Sequence, residues 1–148
     1  MPSIIENLVI EHRVFAQVFD HIEAALPDLT TLAEVRLLVS LVERLLRGHA
    51  TAETDLAYAA LDQVLNERGR LDVLHQDHRE IDDSLRSAGT ATNLEEARRL
   101  LKSALAASRD HFRREERSVF PLIESVLQPG SLAALSVARI TLRGDPTP

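Results

Sequence analysis

Between Leu94 and Leu122 the chain holds one spacing: Leu94, Ala97, Leu101, Ala104, Ser108, His111, Glu115, Ser118 and Leu122 follow one another in steps of three and four. Only an α-helix brings such residues onto a single face, because about 3.6 residues complete its turn. A histidine and a carboxylate share this stripe one turn apart, so His111 and Glu115 stack on the side meant for a core. An unpaired carboxylate in a helix-bundle core is strongly unfavourable, and the partner that imidazole and carboxylate have in common is a metal ion.

Other stretches carry the same signature. Ser3 followed by Glu6 reads as a capping box opening a first helix, expected from about Ser3 to Leu26, where Pro27 stops it. Its inward stripe is Ile5, Leu8, His12, Phe15, Phe19, Ile22 and Leu26. His21 is turned about 180° from His12 and is expected at the solvent. The threonines of the Pro27 to Thr31 connection can cap a second helix, roughly Leu32 to Asn66, with a seam through Leu38, Val42, Leu45, His49, Glu53, Leu56 and Ala60. Tyr58 falls about 180° from His49 and is expected to face away from the ligands. Gly48 is costly inside a helix, which suggests a close neighbour or slack beside His49.

After a helix end at Arg68-Gly69, a third helix is expected from about Arg70 to Ala88, closed by Gly89, with Leu71, Leu74, His78, Ile81 and Leu85 on its seam. His75 lies about 60° to one side of that seam. Asn93 with Glu96 caps the fourth helix, which reaches about Leu127 and is expected to kink or stop near Phe120 because Pro121 removes a backbone hydrogen bond. Pro129-Gly130-Ser131 resets the chain, and a short fifth helix is expected over about 131–143, before a disordered tail at 144–148. Its apolar residues lie on several sides, as suits a cap on an open bundle end or a weak homo-oligomeric contact.

The 148 residues suit one domain, with the bundle over about 3–127. Few aromatic residues and abundant Ala, Leu, Arg and Glu favour an all-α fold. The chain has no cysteine, so a metal must be held by nitrogen and oxygen donors. A net charge of -6 with Arg and Glu interleaved leaves no basic footprint for nucleic acid or anionic lipid. No apolar run approaches the roughly 20 residues that span a bilayer, and the N-terminus lacks a signal-peptide pattern, so a soluble cytoplasmic protein is expected.

The chain also repeats itself. Glu11-His12-Arg13 is echoed by Asp77-His78-Arg79, and His49-x-x-x-Glu53 by His111-x-x-x-Glu115. Two helical hairpins of one design make an up-down-up-down four-helix bundle, whose core can hold a di-metal site. If His12 and His49 hold one metal, His78 and His111 the other, and Glu53 and Glu115 bridge, each ion has two nitrogens and two oxygens. An oxo or hydroxo bridge would add a fifth donor and leave one octahedral position for a ligand. This donor set suits non-haem iron, with zinc and manganese also open.

On the pattern His12, His49-x-x-x-Glu53, His78 and His111-x-x-x-Glu115, followed by Phe120-Pro121, the chain resembles the hemerythrin-like family of HHE cation-binding domains over about Ile5 to Leu127. The resemblance implies a carboxylate-bridged and oxo-bridged di-iron centre that binds or turns over O2, peroxide or nitric oxide. Oxygen carriers of that family have a further histidine where this chain has Leu74, with His75 as the nearest substitute, either an extra ligand or a residue that orients one. They place the last carboxylate where this chain has Glu116, whereas the internal repeat selects Glu115. With His75 unbound, both irons keep an open position, which favours peroxide or nitric oxide removal over simple oxygen carriage. The alternative is a non-catalytic O2- or iron-sensing, binding or storage module read out through the fifth helix.

Around the ligands, Glu11, Asp77 and Asp110 are expected at the surface, and Arg113, Arg114 and Arg117 in a solvated ion-paired face. Phe15, Leu56, Leu74, Phe112 and Val119 are expected in the core, where those nearest the metals would line a dry pocket. Ala52, Ala104 and Ser108 would leave it room. No separate acid or base is evident on the seams.

Overall fold

The computed structural model describes residues 2–65 and 71–144, with side chains described as far as 140. Helix α1 covers Ile4–Ala25, and a 3-10 turn at Leu26–Asp28 carries Pro27. Helix α2 (Leu32–Ala52) runs through a π turn at Glu53–Tyr58 into α3 (Ala59–Leu65). Helices α4 (Asp72–Thr90) and α5 (Leu94–Arg114) form the second hairpin, and α5 runs through a π turn at Glu115–Val119 into α6 (Phe120–Val126). Helix α7 is Pro129–Gly144. The expected all-α bundle, with four long helical segments and a C-terminal helix, is therefore the fold, and no strand occurs among the described residues. No helix there is long and apolar enough to cross a membrane. The expected helix ends at Asn66, Arg68-Gly69 and Arg70, and the tail at 145–148, lie outside the described residues.

Local chemistry starts the helices where expected. Ser3 and Glu6 form the reciprocal capping box, the Thr31 side chain accepts from the Glu34 amide, and Asn93 accepts from the Glu96 amide. Each satisfies a backbone donor that helix geometry leaves orphaned. Pro121 does not end the helix: it comes just after the π turn at Glu115–Val119, where the i→i−4 ladder is already interrupted. Helix α7 begins at Pro129 rather than near residue 131, because a proline N–H is not needed at the first position of a helix, and it includes Gly144.

The apolar faces build two cores. One joins Phe15, Phe19 and Ile22 of α1 to Val35, Val39 and Val42 of α2, Ile81 and Leu85 of α4, and Leu101 and Leu105 of α5. The other joins Ile4, Ile5 and Leu8 to Ala57, Tyr58 and Leu61, with Leu74, Phe120, Ile123 and Leu132. His12, His49 and His78 fall between residues of one core and residues of the other within α1, α2 and α4, and His111 falls between Leu105 of the first core and Phe120 of the second. The buried polar layer thus separates the two, and apolar packing on both sides holds it in register.

The seams of α1 and α4 are as expected, but two others shift. Of the seam expected through α2, Val42, His49 and Glu53 are buried, while Leu38 and Leu45 are only partly buried and their neighbours Val39 and Leu46 turn inward in their place, because the buried stripe is wider than one line of residues. After Glu53 the inward residues are Ala57 and Leu61, not Leu56 and Ala60. After Glu115 they are Phe120 and Ile123, while Ser118 is exposed. A π turn accommodates one extra residue and sets the following helix back by about 100°, so a seam counted at 3.6 residues per turn misses by one. Gly48 has no atom within 4 Å of where a Cβ would sit, so neither a close helix nor the ligands require it. Replacement of Gly48 by Ala is expected to stabilise the fold by about 0.5–1 kcal/mol, seen as a higher urea midpoint at unchanged slope.

Helix α7 lies along α1 rather than over a bundle end. Leu132 joins the core that holds Ile4, Asn7 Nδ2 donates to Ser136 Oγ at 2.7 Å, and Arg139 pairs with Glu11. These contacts advance together along both chains, so the two helices run parallel.

Candidate metal centre

The fold brings all six expected ligands into the buried layer. His12, His49, Glu53 and Glu115 form one cluster, and Glu53, His78, His111 and Glu115 a second; in each, the ligand atoms lie within 4.8 Å of one another. His12 Nε2 faces His49 Nε2 at 2.9 Å, and His78 Nε2 faces His111 Nε2 at 2.8 Å. Both glutamates reach both pairs. Glu53 sets Oε1 at 2.5 Å from His49 Nε2 and Oε2 at 3.0 Å from His78 Nε2. Glu115 sets Oε2 at 3.3 Å from His12 Nε2 and Oε1 at 3.3 Å from His111 Nε2. Both carboxylates are fully buried.

The far side of the rings explains why the Nε2 atoms point inward. His49 Nδ1 lies 2.7 Å from Glu11 Oε2, His111 Nδ1 lies 3.1 Å from Asp77 Oδ2, and His12 Nδ1 lies 2.8 Å from Glu116 Oε1. A carboxylate only accepts, so each Nδ1 donates, and the Nε2 atoms are the ones turned toward the centre of the layer. Two Nε2 atoms under 3 Å apart need a positive charge between them, a shared proton or a metal ion. Glu115 Oε2 is buried with no hydrogen bond of its own. With nitrogen and oxygen donors and two shared carboxylates, the site fits a pair of metal ions.

Electrostatics agree with this. Burial disfavours a charged His12, but the Glu115, Glu53 and Glu116 carboxylates outweigh burial and raise the imidazole to about 9. His111 is raised in the same way, by Glu115 and Glu53, to about 10. Burial would push Glu53 up, yet His49, His111 and His12 hold it well below the usual carboxylate range. The layer therefore stabilises positive charge in the centre of the bundle.

Several functional neighbours differ from expectation. Glu11 and Asp77 are not bystanders at the surface but the acceptors that orient His49 and His111, and Glu116 does this for His12. Their signal was the repeat itself, because an acid recurs immediately before His12 and before His78. Arg114 is exposed and ion-paired as expected, with Asp77 as its partner, and Asp110 pairs with exposed Arg113 as a surface residue should. Tyr58, expected to face away, is buried; its hydroxyl donates to Glu115 Oε1 and its ring stacks on His78 at 5.9 Å. The π turn changes its angle from His49 from about 180° to about 80°. Phe120 occupies the same place after Glu115 and stacks on His12 at 5.5 Å, so only the Tyr58 side carries a hydroxyl. His75 enters neither cluster and sets its ring edge against Tyr58 at 5.6 Å. His21 is exposed, as expected.

A helical bundle with two histidine and carboxylate clusters in its core defines a cation-binding protein of the all-α class. The family model of the hemerythrin HHE cation binding domain matches residues 3–123, and the chain belongs to that family. Neither the curated proteins nor the solved structures give a significant match.

Proposed function

We propose that the layer holds a pair of non-haem iron ions, which bind or turn over one small oxidant, most concretely to remove peroxide or nitric oxide. His12 and His49 would hold one ion, His78 and His111 the other, with Glu53 and Glu115 shared. The bundle and α7 are read as one domain, because Leu132 joins the core of Ile4 and Phe120.

The observation that carries the small-oxidant reading is a void of about 20 Å³ against His49, Glu53, His78 and His111. Such a space takes about one water-sized molecule. Leu46, Ile81 and Phe112 line it, and Ser108 leaves room while its hydroxyl is tied to the Ala104 carbonyl at 2.8 Å. His78, the most exposed of the six, also lines a surface cleft of about 430 Å³ between α2 and α4, which shares Ala50 and Asp82 with the void and offers a way in. Tyr58 holds a proton against Glu115 at the edge of the site. With His75 outside both clusters the two halves have equal histidine complements, which supports turnover over one-sided oxygen carriage. Bound iron supplies Lewis acidity and redox change; zinc or manganese would fit the donor types.

The test is anaerobic titration of chelator-treated protein with Fe(II), followed by peroxide or nitric oxide. Consumption no faster than that by free iron would sink the reading. Because protons and metal compete for the same Nε2 lone pairs, binding should release protons and weaken as pH falls below about 9. Potentiometry on metal addition checks the sign.

A further inference from the structure

Helix α7 lies beyond residues 3–123 that the family model matches, yet it reaches the polar layer. Arg139 is 5 % exposed, and its Nη2 donates to Glu11 Oε2 at 2.5 Å; the same oxygen accepts from His49 Nδ1 at 2.7 Å. Arg139 Nε and Nη1 are buried without hydrogen bonds, so the guanidinium depends strongly on this anion for staying inside. The other half of the centre repeats the device with one difference. Asp77 on His111 is held by Arg114, which comes from the bundle helix that supplies His111 itself. At the His12–His49 half the guanidinium comes from a helix that is separately docked.

We propose that α7 is a working part of the metal centre: Arg139 fixes Glu11 on His49, so that docking of α7 on α1 and occupancy of the His12–His49 half favour each other. A carboxylate on Nδ1 fixes the ring and its tautomer and so strengthens the Nε2 donor. Coupling of this kind is reciprocal: metal at that half tightens α7, and release of α7 weakens metal there. The docking is open to such control, since a cavity of about 520 Å³ lies between α2 and α7, lined by Arg44, Arg47, Thr51 and Arg139. The seat includes apolar contacts of Leu132 and Leu135 and the two polar pairs Asn7–Ser136 and Glu11–Arg139. Arg139 is thus a positioning residue, and the inference rests on the metal-ion reading above.

The test follows stepwise Fe(II) binding together with hydrogen exchange over residues 131–143. In the wild-type protein, metal should slow exchange across α7. Arg139→Met should weaken one binding step by roughly 10–100-fold, leave the other unchanged and remove the metal-dependent protection. Arg139→Lys should restore part of each. Glu11→Gln keeps the shape and should reproduce the Met phenotype if Arg139→Met fails to fold. Arg114→Met should weaken the other step without altering α7 exchange. Two Fe(II) per wild-type chain with α7 exchange indifferent to metal, or both steps unaltered in Arg139→Met, would overturn the coupling while leaving the metal centre. Wild-type protein that takes up no Fe(II) would refute both.

Discussion

Chelator-treated Glu53→Gln protein supplied with Fe(II) is expected to retain at most one ion per chain where the wild type retains two. Glu53 presents one oxygen to each histidine pair, and an amide offers one acceptor and one donor in the same space. The donor would point at an Nε2 lone pair that a metal needs. The same exchange leaves the fold intact, because an amide can hydrogen-bond the imidazole it faces, and His12 and His111 lose part of what raises their pKa values. The effect therefore appears in the response to metal rather than in the melt of the chelated protein. With Fe(II) a thousandfold above its Kd, one ion stabilises the wild type by about 4 kcal/mol, and Glu53→Gln should gain less than half of the wild-type total. Metal analysis alongside anaerobic melts, with and without Fe(II), checks this. Undiminished uptake of two ions would show that Glu53 is not a shared ligand.

Phe112→Ala should have the largest effect on the fold itself, about 3–5 kcal/mol. Phe112 is buried where the core of Phe15, Phe19 and Ile22 meets the polar layer. It stacks on His12 at 4.1 Å, meets His49 edge-on at 5.6 Å, and packs with Phe15 and Phe19 at 6.1 and 6.2 Å. Truncation removes the wall that separates the small void from the core and the surface that keeps His12 in place. We expect a lower urea midpoint and faster loss of iron to a chelator. Phe112→Leu, which keeps most of the apolar volume, should cost less than half as much. A chelation rate unchanged in Phe112→Ala, despite the lost stability, would mean that the ring supports the bundle without ordering the centre.

The six clustered residues were legible because the physics that buries them is periodic. His12, His49, Glu53, His78, His111 and Glu115 each lie on an apolar stripe no further along than the first residue of a π turn, so counting at 3.6 residues per turn locates them. The caps at Ser3, Thr31 and Asn93 were legible because they depend on residues three apart. Past Glu53 and Glu115 the same counting fails. The π turns shift Tyr58, Ala57 and Phe120 inward and turn Ser118 to solvent, and nothing in a steady period announces the extra residue.

The sequence by itself determined an all-α bundle with a buried histidine and carboxylate layer, because burial of an apolar stripe is a local, repeating demand on each helix. Only the tertiary structure decided which partners surround that layer. Glu11 on His49, Asp77 on His111, Glu116 on His12, Tyr58 on Glu115 and Arg139 on Glu11 are contacts between helices. A polar contact of that kind is fixed by how two helices are rotated and shifted against each other, which depends on the packing of every core residue together. No single stretch of the chain carries it.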